Sequence, residues 1–362
     1  MATYRIGVIG HTGSGNYGHG LDTVWLSIDG AEIAAVADAD PGGLKAAGER
    51  LGVPQERRYA DYRQMLNNER LDFVSVCPRW AGERREMVVA AAESGIRGIY
   101  CEKPFSQTPK DADAMLNACE RNGVKIAVAH QNRAHPFIQT AQEMIEDGAI
   151  GEIRELHGFG KQDRRGGGLD LTVLGTHIFD LMRLFGGDPV SVSAVVLEGG
   201  RPVGQGDARQ GDEQVGLIAG DHLRATYLFE NGIVGTFRSR REGSHFGNRS
   251  MGVQIEGSEG VLDYRCDRLC LYPHGCLSPP PSADEWVVVG HPSRSKGVVE
   301  LNKPLVLDLI QAVEEDREPM CSGRNARWSM EMILGVYAAH RHGRAALPLT
   351  DRRHPLEGWE AP

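Results

Sequence analysis

The chain has 362 residues, of which 41% are hydrophobic and 25% charged, a composition that predicts a globular protein with room for two domains. Its formal net charge of −9, without a basic run, argues against a nucleic-acid or anionic-membrane partner. No apolar run approaches the ~20 residues that span a bilayer, and the strand-like N-terminus leaves no room for a signal peptide. Because the seven cysteines are scattered, we expect reduced thiols in a cytoplasmic protein.

Short apolar segments alternate with helix-like stretches over the first 130 residues. The five strand-like segments are RIGVIG (5–10), EIAAVAD (32–38), FVSVCP (73–78), GIYCEKP (98–104) and KIAVAHQ (125–131). Strands that alternate with helices in this way predict βαβ units and a parallel sheet. We therefore expect an α/β domain over residues 1–130.

After about residue 150, strand-like segments follow one another through short turns. Asn231-Gly232 and residues 258–260 have the composition of hairpin turns, because Asn and Gly tolerate a positive φ. Two helices are predicted near the end, around 303–316 and 326–342. Residues 131–362 are thus expected to form an α+β domain with a large, mostly antiparallel sheet.

The first strand runs into a glycine-rich loop, RIGVIGHTGSGNYGHG. Gly13-x-Gly15-x-x-Gly18 fits the dinucleotide fingerprint, in which backbone N–H groups approach a pyrophosphate at a helix N-terminus. Such loops also occur after strands for steric reasons alone. The predicted cofactor-binding residues of this loop are Gly10, His11, Thr12, Gly13, Ser14, Gly15 and Gly18.

Asp38 ends the second strand, 28 residues after Gly10. A carboxylate there can accept hydrogen bonds from the ribose 2′-OH of a dinucleotide and would repel a 2′-phosphate, so NAD is expected rather than NADP. The alternative is that Asp38 caps the helix that begins near Pro41.

Several motifs in order resemble the glucose–fructose oxidoreductase/inositol dehydrogenase (Gfo/Idh/MocA) family over nearly the whole chain. They are the strand–glycine loop–Asp unit, CP after FVSV, EKP after GIYC, MIEDGAIGEIREL (144–156), GGGLDLTVLGTHIFDLMRLFGG (166–187) and EPMCSGRNARWSMEMILGVY (318–337). The resemblance implies a Rossmann domain followed by a domain with an open-faced sheet for substrate binding and oligomerisation.

The resemblance also implies roles for the residues at the ends of two strands. In the family, the EKP lysine, here Lys103, contacts the substrate hydroxyl and the cofactor ribose, and its bond to proline is often cis. Glu102 of the same motif is expected at the cofactor, as are Cys77, Pro78 and Trp80 near the nicotinamide. Trp80 would stack on a ring or pack in the cleft wall.

The family's second motif is a histidine preceded four residues earlier by an aspartate. This chain keeps the histidine as His177 but has Val173 in place of the aspartate. We expect His177 to act as a general acid/base, with Asp170 or Asp180 supplying its orientation. Alternatively, His177 is a helix-start histidine bonded to a backbone carbonyl.

Other polar residues are candidates for substrate contact. Gln162, Asp163 and Arg164 lie in the segment GKQDRRGGG, which fits a polyhydroxylated substrate or a solvated loop, and Arg133 follows the fifth strand. Cys266, Cys270, His274 and Cys276 match no standard zinc spacing, so no metal is expected.

The leading functional hypothesis is an NAD-dependent oxidoreductase that acts on a sugar, sugar derivative or cyclitol. One alternative is an NAD-dependent enzyme that cleaves glycosides through transient sugar oxidation, and another is a non-catalytic regulator of the same fold. A homodimer or homotetramer is expected through the second-domain sheet, whose face would carry Val192, Ala194 and Val196.

Overall fold

Residues 4–242, 250–274, 282, 285–290 and 299–360 are described by a computed structural model of the chain. The chain divides into two units. Unit 1 comprises Met1–Gln131, Asp212–Gly216 and Gly297–Arg327, and unit 2 comprises Asn132–Gly211, Leu217–Lys296 and Trp328–Pro362. Residues 1–130 of the expected first domain lie in unit 1. Residues 132–362 of the expected second domain lie in unit 2, except for Asp212–Gly216 and Gly297–Arg327, which belong to unit 1.

Unit 1 contains a six-stranded parallel sheet in the order β3-β2-β1-β4-β5-β6, which confirms the prediction. Its strands are β1 (Tyr4–Ile9), β2 (Ala31–Ala37), β3 (Arg58–Tyr59), β4 (Phe73–Val76), β5 (Gly98–Cys101) and β6 (Lys125–Val128). Its helices are α1 (Pro41–Leu51), α2 (Tyr62–Asn68), α3 (Arg84–Ala92), α4 (Pro109–Arg121) and, late in the chain, α8 (Asn302–Glu314). The strand order reverses between β1 and β4, and ligands of such sheets bind at the carboxyl ends of these strands.

The connection from β1 to β2 differs from the prediction. Residues 10–23 form turns, and the helical element within this fully described connection is a 3₁₀ helix, Val24–Ser27, rather than an α-helix. The buried Trp25 anchors it by donating a hydrogen bond from its indole nitrogen to Ser75 Oγ at 2.7 Å. The glycine-rich loop therefore lacks the following α-helix whose N-terminus was expected to face a pyrophosphate.

Unit 2 contains a ten-stranded sheet in the order β17-β16-β15-β14-β7-β13-β12-β8-β18, with β9 paired to β8. The strands of this unit are β7 (Ile153–Phe159), β8 (Pro189–Glu198), β9 (Arg201–Pro202), β10 (Arg209–Gln210), β11 (Leu217–Ile218), β12 (His222–Phe229), β13 (Val234–Arg240), β14 (Gly252–Gly257), β15 (Val261–Arg265), β16 (Arg268–Tyr272), β17 (Val287–Gly290) and β18 (Ala345–Ala346). The remaining helices are α5 (Pro136–Glu146), α6 (Gly168–Val173), α7 (Gly175–Gly186) and α9 (Gly323–His342). The sheet is mostly antiparallel, as predicted, with a parallel pair formed by β7 and β13.

The burial of side chains on the two faces of this sheet differs from what was expected for Val192 and Val196. Val192 and Val196 are 1% and 0% exposed, and their cross-strand partners Tyr227 and Leu223 are also buried. They lie on the covered face, against which α7 packs, so the prediction that they mark the open face is wrong. The alternation of side chains defines two faces but does not say which one is covered. On the open face, Val195 is 54% exposed.

Candidate active site

A cavity of about 240 Å³ lies at the carboxyl ends of the first strands of unit 1. Its wall includes Gly10 and Asp38, which follow β1 and β2, together with Asp61, Arg63 and Glu83. Three carboxylates and one guanidinium make the wall predominantly negative. An uncharged ribose fits such a wall better than a phosphorylated one.

Asp38 is 1% exposed, and its carboxylate accepts hydrogen bonds from the glycine-rich loop. Thr12 donates to it from its amide at 3.1 Å and from Oγ1 at 2.7 Å, and the Tyr17 hydroxyl donates at 2.8 Å. Burial and the neighbouring Asp38 raise the pKa of Tyr17, so its hydroxyl stays protonated. The cap of α1 is Asp40 rather than Asp38, because Asp40 Oδ1 accepts the amide of Gly43 at 2.6 Å.

The glycines of the loop are required by close packing within unit 1. A Cβ on Gly15, which has a φ of 93°, would lie 2.5 Å from the backbone nitrogens of Arg79 and Trp80. A Cβ on Gly18 would lie 2.5 Å from the carbonyl oxygen of Cys77. The loop therefore lies directly on the segment after β4, where Cys77, Pro78 and Trp80 were predicted. Gly13, at a φ of 86°, has open space around its Cβ position.

The other predicted loop residues lie at the same edge. His11 lines the cavity, and its Nδ1 is 3.1 Å from the Glu83 carboxylate. Ser14 closes a turn by donating its amide to the His11 carbonyl at 3.0 Å. The glycine loop and the acidic wall fit the adenosine end of an NAD molecule, whose ribose hydroxyls Asp38 would hold.

Glu102 is fully buried and joins the glycine loop to Lys103. Its Oε1 accepts the amide of His19 at 2.9 Å and lies 2.5 Å from His19 Nδ1, and its Oε2 accepts the amide of Lys103 at 2.8 Å. Burial raises the pKa of Glu102, but the hydrogen bond and charge of His19 and the charges of Lys103 and Arg84 outweigh it. The net pKa is lowered, so the carboxylate is ionised.

Lys103 is 5% exposed, and its peptide bond to Pro104 is cis, which confirms the expectation drawn from the resemblance. Burial lowers the pKa of the Lys103 ammonium, and Arg84 and Arg79 act in the same direction. The carboxylates of Glu102 and Glu213 oppose this shift. The net pKa of Lys103 is lowered, and the nearby carboxylates limit that shift.

Arg84, a residue that the sequence did not single out, links the ends of β4 and β5. Its guanidinium is buried and donates to the carbonyl oxygens of Pro104, Pro78 and Arg79, at 2.6 Å for Pro78 and 3.0 Å for Arg79. Five donors in a fixed plane allow one arginine to hold several carbonyls at once.

Asn302, at the start of α8, is a second residue that the sequence did not single out. Its Oδ1 accepts the Tyr100 hydroxyl at 2.7 Å and Gln131 Nε2 at 3.0 Å, and its Nδ2 donates to the His19 carbonyl at 2.8 Å. Asn302 is 283 positions from His19, and no local pattern marks it. It fixes the glycine loop to β5 and to the segment after β6.

His177 belongs to unit 2, in the first turn of α7, and is 8% exposed. Val173 ends α6 and is 3% exposed. Asp180 lies three residues after His177 and accepts a hydrogen bond from Arg133 Nε at 2.7 Å. Since Asp180 is 1% exposed, Arg133 and Asp180 form a largely buried ion pair.

Asp170 holds the predicted substrate loop. Its carboxylate accepts the amides of Lys161 at 3.2 Å and Gln162 at 3.0 Å and the Ser239 hydroxyl at 2.5 Å. Burial raises the pKa of Asp170, although these hydrogen bonds act in the opposite direction. Among the described residues these are its partners, so Asp170 anchors the loop instead of orienting His177.

The side chains of this loop differ in their surroundings. Burial raises the pKa of Asp163, but hydrogen bonds from Arg165 and the charges of Arg165 and Lys161 lower it to about 2. Gln162 has a left-handed φ of 57°, and Arg164 is exposed. The loop therefore presents a fixed carboxylate at Asp163 and an exposed guanidinium at Arg164.

Of the cysteines considered for zinc, Cys266 lies in the turn after β15 and Cys270 on β16, while Cys276 lies outside the described residues. A different group of possible ligands, Glu155, His157 and Glu256, occurs on the open sheet face of unit 2. The His157 ring there hydrogen-bonds to Thr236 at 2.9 Å and to Glu256 at 3.0 Å. These hydrogen bonds explain why His157 and Glu256 lie close together.

Known proteins match both units. A family model described as "Oxidoreductase family, NAD-binding Rossmann fold" matches residues 4–130, and one described as "GFO/IDH/MocA C-terminal domain" matches residues 138–263. D-Apiose dehydrogenase of Paraburkholderia graminis is 31% identical over 341 residues, which cover 88% of this chain and 84% of the relative. Levoglucosan dehydrogenase of Pseudarthrobacter phenanthrenivorans is 28% identical over 258 residues, 64% of this chain and 65% of that protein.

A solved structure has the same fold. Levoglucosan dehydrogenase in complex with NADH and L-sorbose superposes with a TM-score of 0.75, at 21% identity, over 96% of this chain and 100% of that one. The family models together cover well over half of the residues, and their order matches that of the two predicted domains. The chain belongs to the Gfo/Idh/MocA family of oxidoreductases with an NAD-binding Rossmann fold.

Proposed function

We propose that the protein is an NAD-dependent dehydrogenase that oxidises a hydroxyl group of a sugar, sugar derivative or cyclitol. The observation that carries this proposal is the buried Lys103, held beside Glu102 at the carboxyl edge of the Rossmann sheet. The relatives named D-apiose dehydrogenase and levoglucosan dehydrogenase support the substrate class.

Each of the proposed site residues has a separate role in the reaction. NAD, whose ribose Asp38 would hold, would supply the acceptor for the hydride of the substrate carbon. Lys103 donates a hydrogen bond to the reacting oxygen. His177 takes the hydroxyl proton as that carbon is oxidised. Asp180, one helical turn after His177, orients it, and Arg133 fixes Asp180 through their ion pair.

The loop anchored by Asp170 provides the substrate specificity. Gln162, Asp163 and Arg164 follow the anchored amides and offer donors and acceptors to the other hydroxyls of the substrate. A polyhydroxylated molecule presents many such groups, and a site built to pair them rejects analogues that lack them.

A screen tests the proposal. The full-length protein with NAD is incubated with a panel of aldoses, ketoses, anhydrosugars and cyclitols while NADH absorbance and products are followed. We expect NADH formation with at least one member, at an initial rate at least about 10²-fold lower with Lys103→Ala. Products without NADH would point to the glycoside-cleaving alternative. NAD binding without turnover of any member would favour a regulator.

We further propose a homo-oligomer that pairs through the open sheet face of unit 2. Val195, Leu228 and Val234 are exposed there, at 54%, 37% and 37%. Light scattering is expected to give a multiple of the 39.5 kDa monomer mass, and Val195→Glu should lower it. A wild-type mass near 39.5 kDa would rule out the oligomer.

We also place the protein in the cytoplasm, because the six cysteines of the described residues are all free thiols. None of the helices in the described part of the chain combines the length and apolarity needed to cross a bilayer.

A further inference from the structure

Tyr17 lies in the glycine-rich loop and places its ring beside the end of β1. A Cβ built on Gly10 would collide with this ring, so the glycine after β1 leaves room for Tyr17. The Arg50 guanidinium of α1 lies over the other side of the contact, 4.8 Å from the ring centroid. Asp22 holds that guanidinium by accepting hydrogen bonds from Nε at 3.1 Å and from Nη2 at 2.6 Å. The Tyr17 ring is therefore packed at the edge of the sheet where β1 and β2 end.

Donors of the protein itself occupy the Asp38 carboxylate at this edge. Oδ1 accepts the amides of Thr12 at 3.1 Å and Asp40 at 3.0 Å. Oδ2 accepts Thr12 Oγ1 at 2.7 Å and the Tyr17 hydroxyl at 2.8 Å. Because a carboxylate offers about four acceptor positions, these bonds fill it. A ribose hydroxyl can therefore bond to Asp38 only where one of these donors is displaced.

The Tyr17 hydroxyl is the donor that can be displaced with the least rearrangement. The amides of Thr12 and Asp40 belong to the main chain, and Asp40 also caps α1. Thr12 Oγ1 packs against the first turn of α1, where a Cβ on Gly43 would collide with it. Tyr17 is half-buried, and rotation about its side-chain bonds moves the hydroxyl away while the backbone stays in place.

We propose that Tyr17 competes with the adenosine ribose of NAD for Asp38 and thereby limits the affinity for the cofactor. Its ring and hydroxyl take the two places that a dinucleotide-binding fold offers to the cofactor, the glycine after the first strand and the carboxylate after the second. A bond from a ribose hydroxyl to Asp38 then forms at the loss of a charge-assisted bond from Tyr17. The inference rests on the proposed function only for Asp38 as the residue that holds the ribose.

The first test is a calorimetric titration of the full-length protein with NAD and with an NAD analogue built on 2′,3′-dideoxyadenosine. Tyr17→Phe should bind NAD about tenfold more tightly than the wild type, because the competing hydroxyl is gone. Its affinity for the analogue should change by less than about twofold, because the analogue offers Asp38 no hydroxyl. Tyr59→Phe is the matched control, since it removes a tyrosine hydroxyl bonded to Glu69 at 2.9 Å, and it should leave both affinities unchanged.

Unchanged or weaker NAD binding by Tyr17→Phe would overturn the proposal. Weaker binding would show instead that the hydroxyl holds Asp38 in place for the ribose.

A second pair of variants separates Tyr17 from Asp38. Asp38→Ala should remove the preference for NAD over the analogue, and adding Tyr17→Phe to it should change neither affinity, because the competition acts through the carboxylate. A gain from Tyr17→Phe that persists in full without Asp38 would overturn the proposal alone. An Asp38→Ala protein with the wild-type preference would contradict the proposed role of Asp38 and overturn the inference with it. A wild type that oxidises no member of the panel would contradict the proposed function and leave these binding measurements intact.

Discussion

Nδ1 of His19 lies 2.5 Å from Oε1 of Glu102, and the other oxygen of that carboxylate accepts the Lys103 amide at 2.8 Å. One buried side chain thus couples the glycine-rich loop after β1 to the lysine after β5.

The first prediction concerns the pH dependence of this link. Glu102→Gln should lower the free energy of unfolding at pH 7 by roughly 2 kcal/mol, the scale of a buried charge-assisted hydrogen bond. The folded pKa of Glu102 lies below its ordinary value, so its contribution is complete above about pH 4.3 and is lost as the pH falls through the folded pKa.

Denaturant unfolding of both proteins from pH 7 to pH 3 measures this effect. The gap between the wild type and Glu102→Gln should close at the acid end of the range. A gap that stays constant throughout would show that the ionised carboxylate contributes nothing to the link.

The second prediction concerns cofactor choice. The wild type should bind NAD at least about tenfold more tightly than NADP, a difference of about 1.4 kcal/mol, because Asp38 and the acidic cavity wall repel a 2′-phosphate. Asp38→Ser should narrow the difference in calorimetric titrations. Asp40→Ser is the matched control, because serine also caps α1 and the wall is unchanged. Tighter binding of NADP by the wild type would contradict this account.

The third prediction concerns the two residues assigned to proton transfer. Lys103→Ala and His177→Ala should each reduce kcat by ~10²–10⁴-fold. His177→Ala should leave NAD affinity nearly unchanged, because His177 belongs to the substrate side. The exposed Lys110→Ala serves as the control and should keep wild-type kcat. A His177→Ala enzyme within twofold of the wild type would remove His177 from the mechanism.

The fourth prediction concerns Val173, where the family has an aspartate. Val173→Asp should lower stability, because position 173 is buried and a carboxylate there would be desolvated. It should not raise kcat, since Asp180 is already fixed by Arg133 one turn after His177. Asp180→Asn should therefore reduce kcat. A faster Val173→Asp enzyme together with a harmless Asp180→Asn would refute this account of His177.

Local patterns were sufficient for much of the fold. The alternation of apolar and helix-like segments predicted the parallel sheet of unit 1, and Asn231-Gly232 lies in the turn between β12 and β13 as expected. The EKP motif placed Lys103 at the carboxyl edge of that sheet. These features depend on residues close together in sequence.

The contacts that the sequence did not predict join residues that lie far apart in the chain. The partner of His19 is 83 positions away, and Asn302 meets Tyr100 across 202 positions. Glycines in the loop predicted a cofactor cradle, yet Gly15 and Gly18 are needed where the loop meets the protein itself. Val192 was assigned to the wrong face of its sheet because periodicity does not identify which face the helices cover.

The most direct test of the central claim is the stoichiometry of the reaction with the best substrate of the panel. NADH and oxidised product are quantified in the same sample of wild-type enzyme with excess NAD. The proposed function predicts equal amounts of NADH and ketone or lactone, and an initial rate of formation of both that is at least about 10²-fold lower with Lys103→Ala. Product that accumulates without an equal amount of NADH would contradict it.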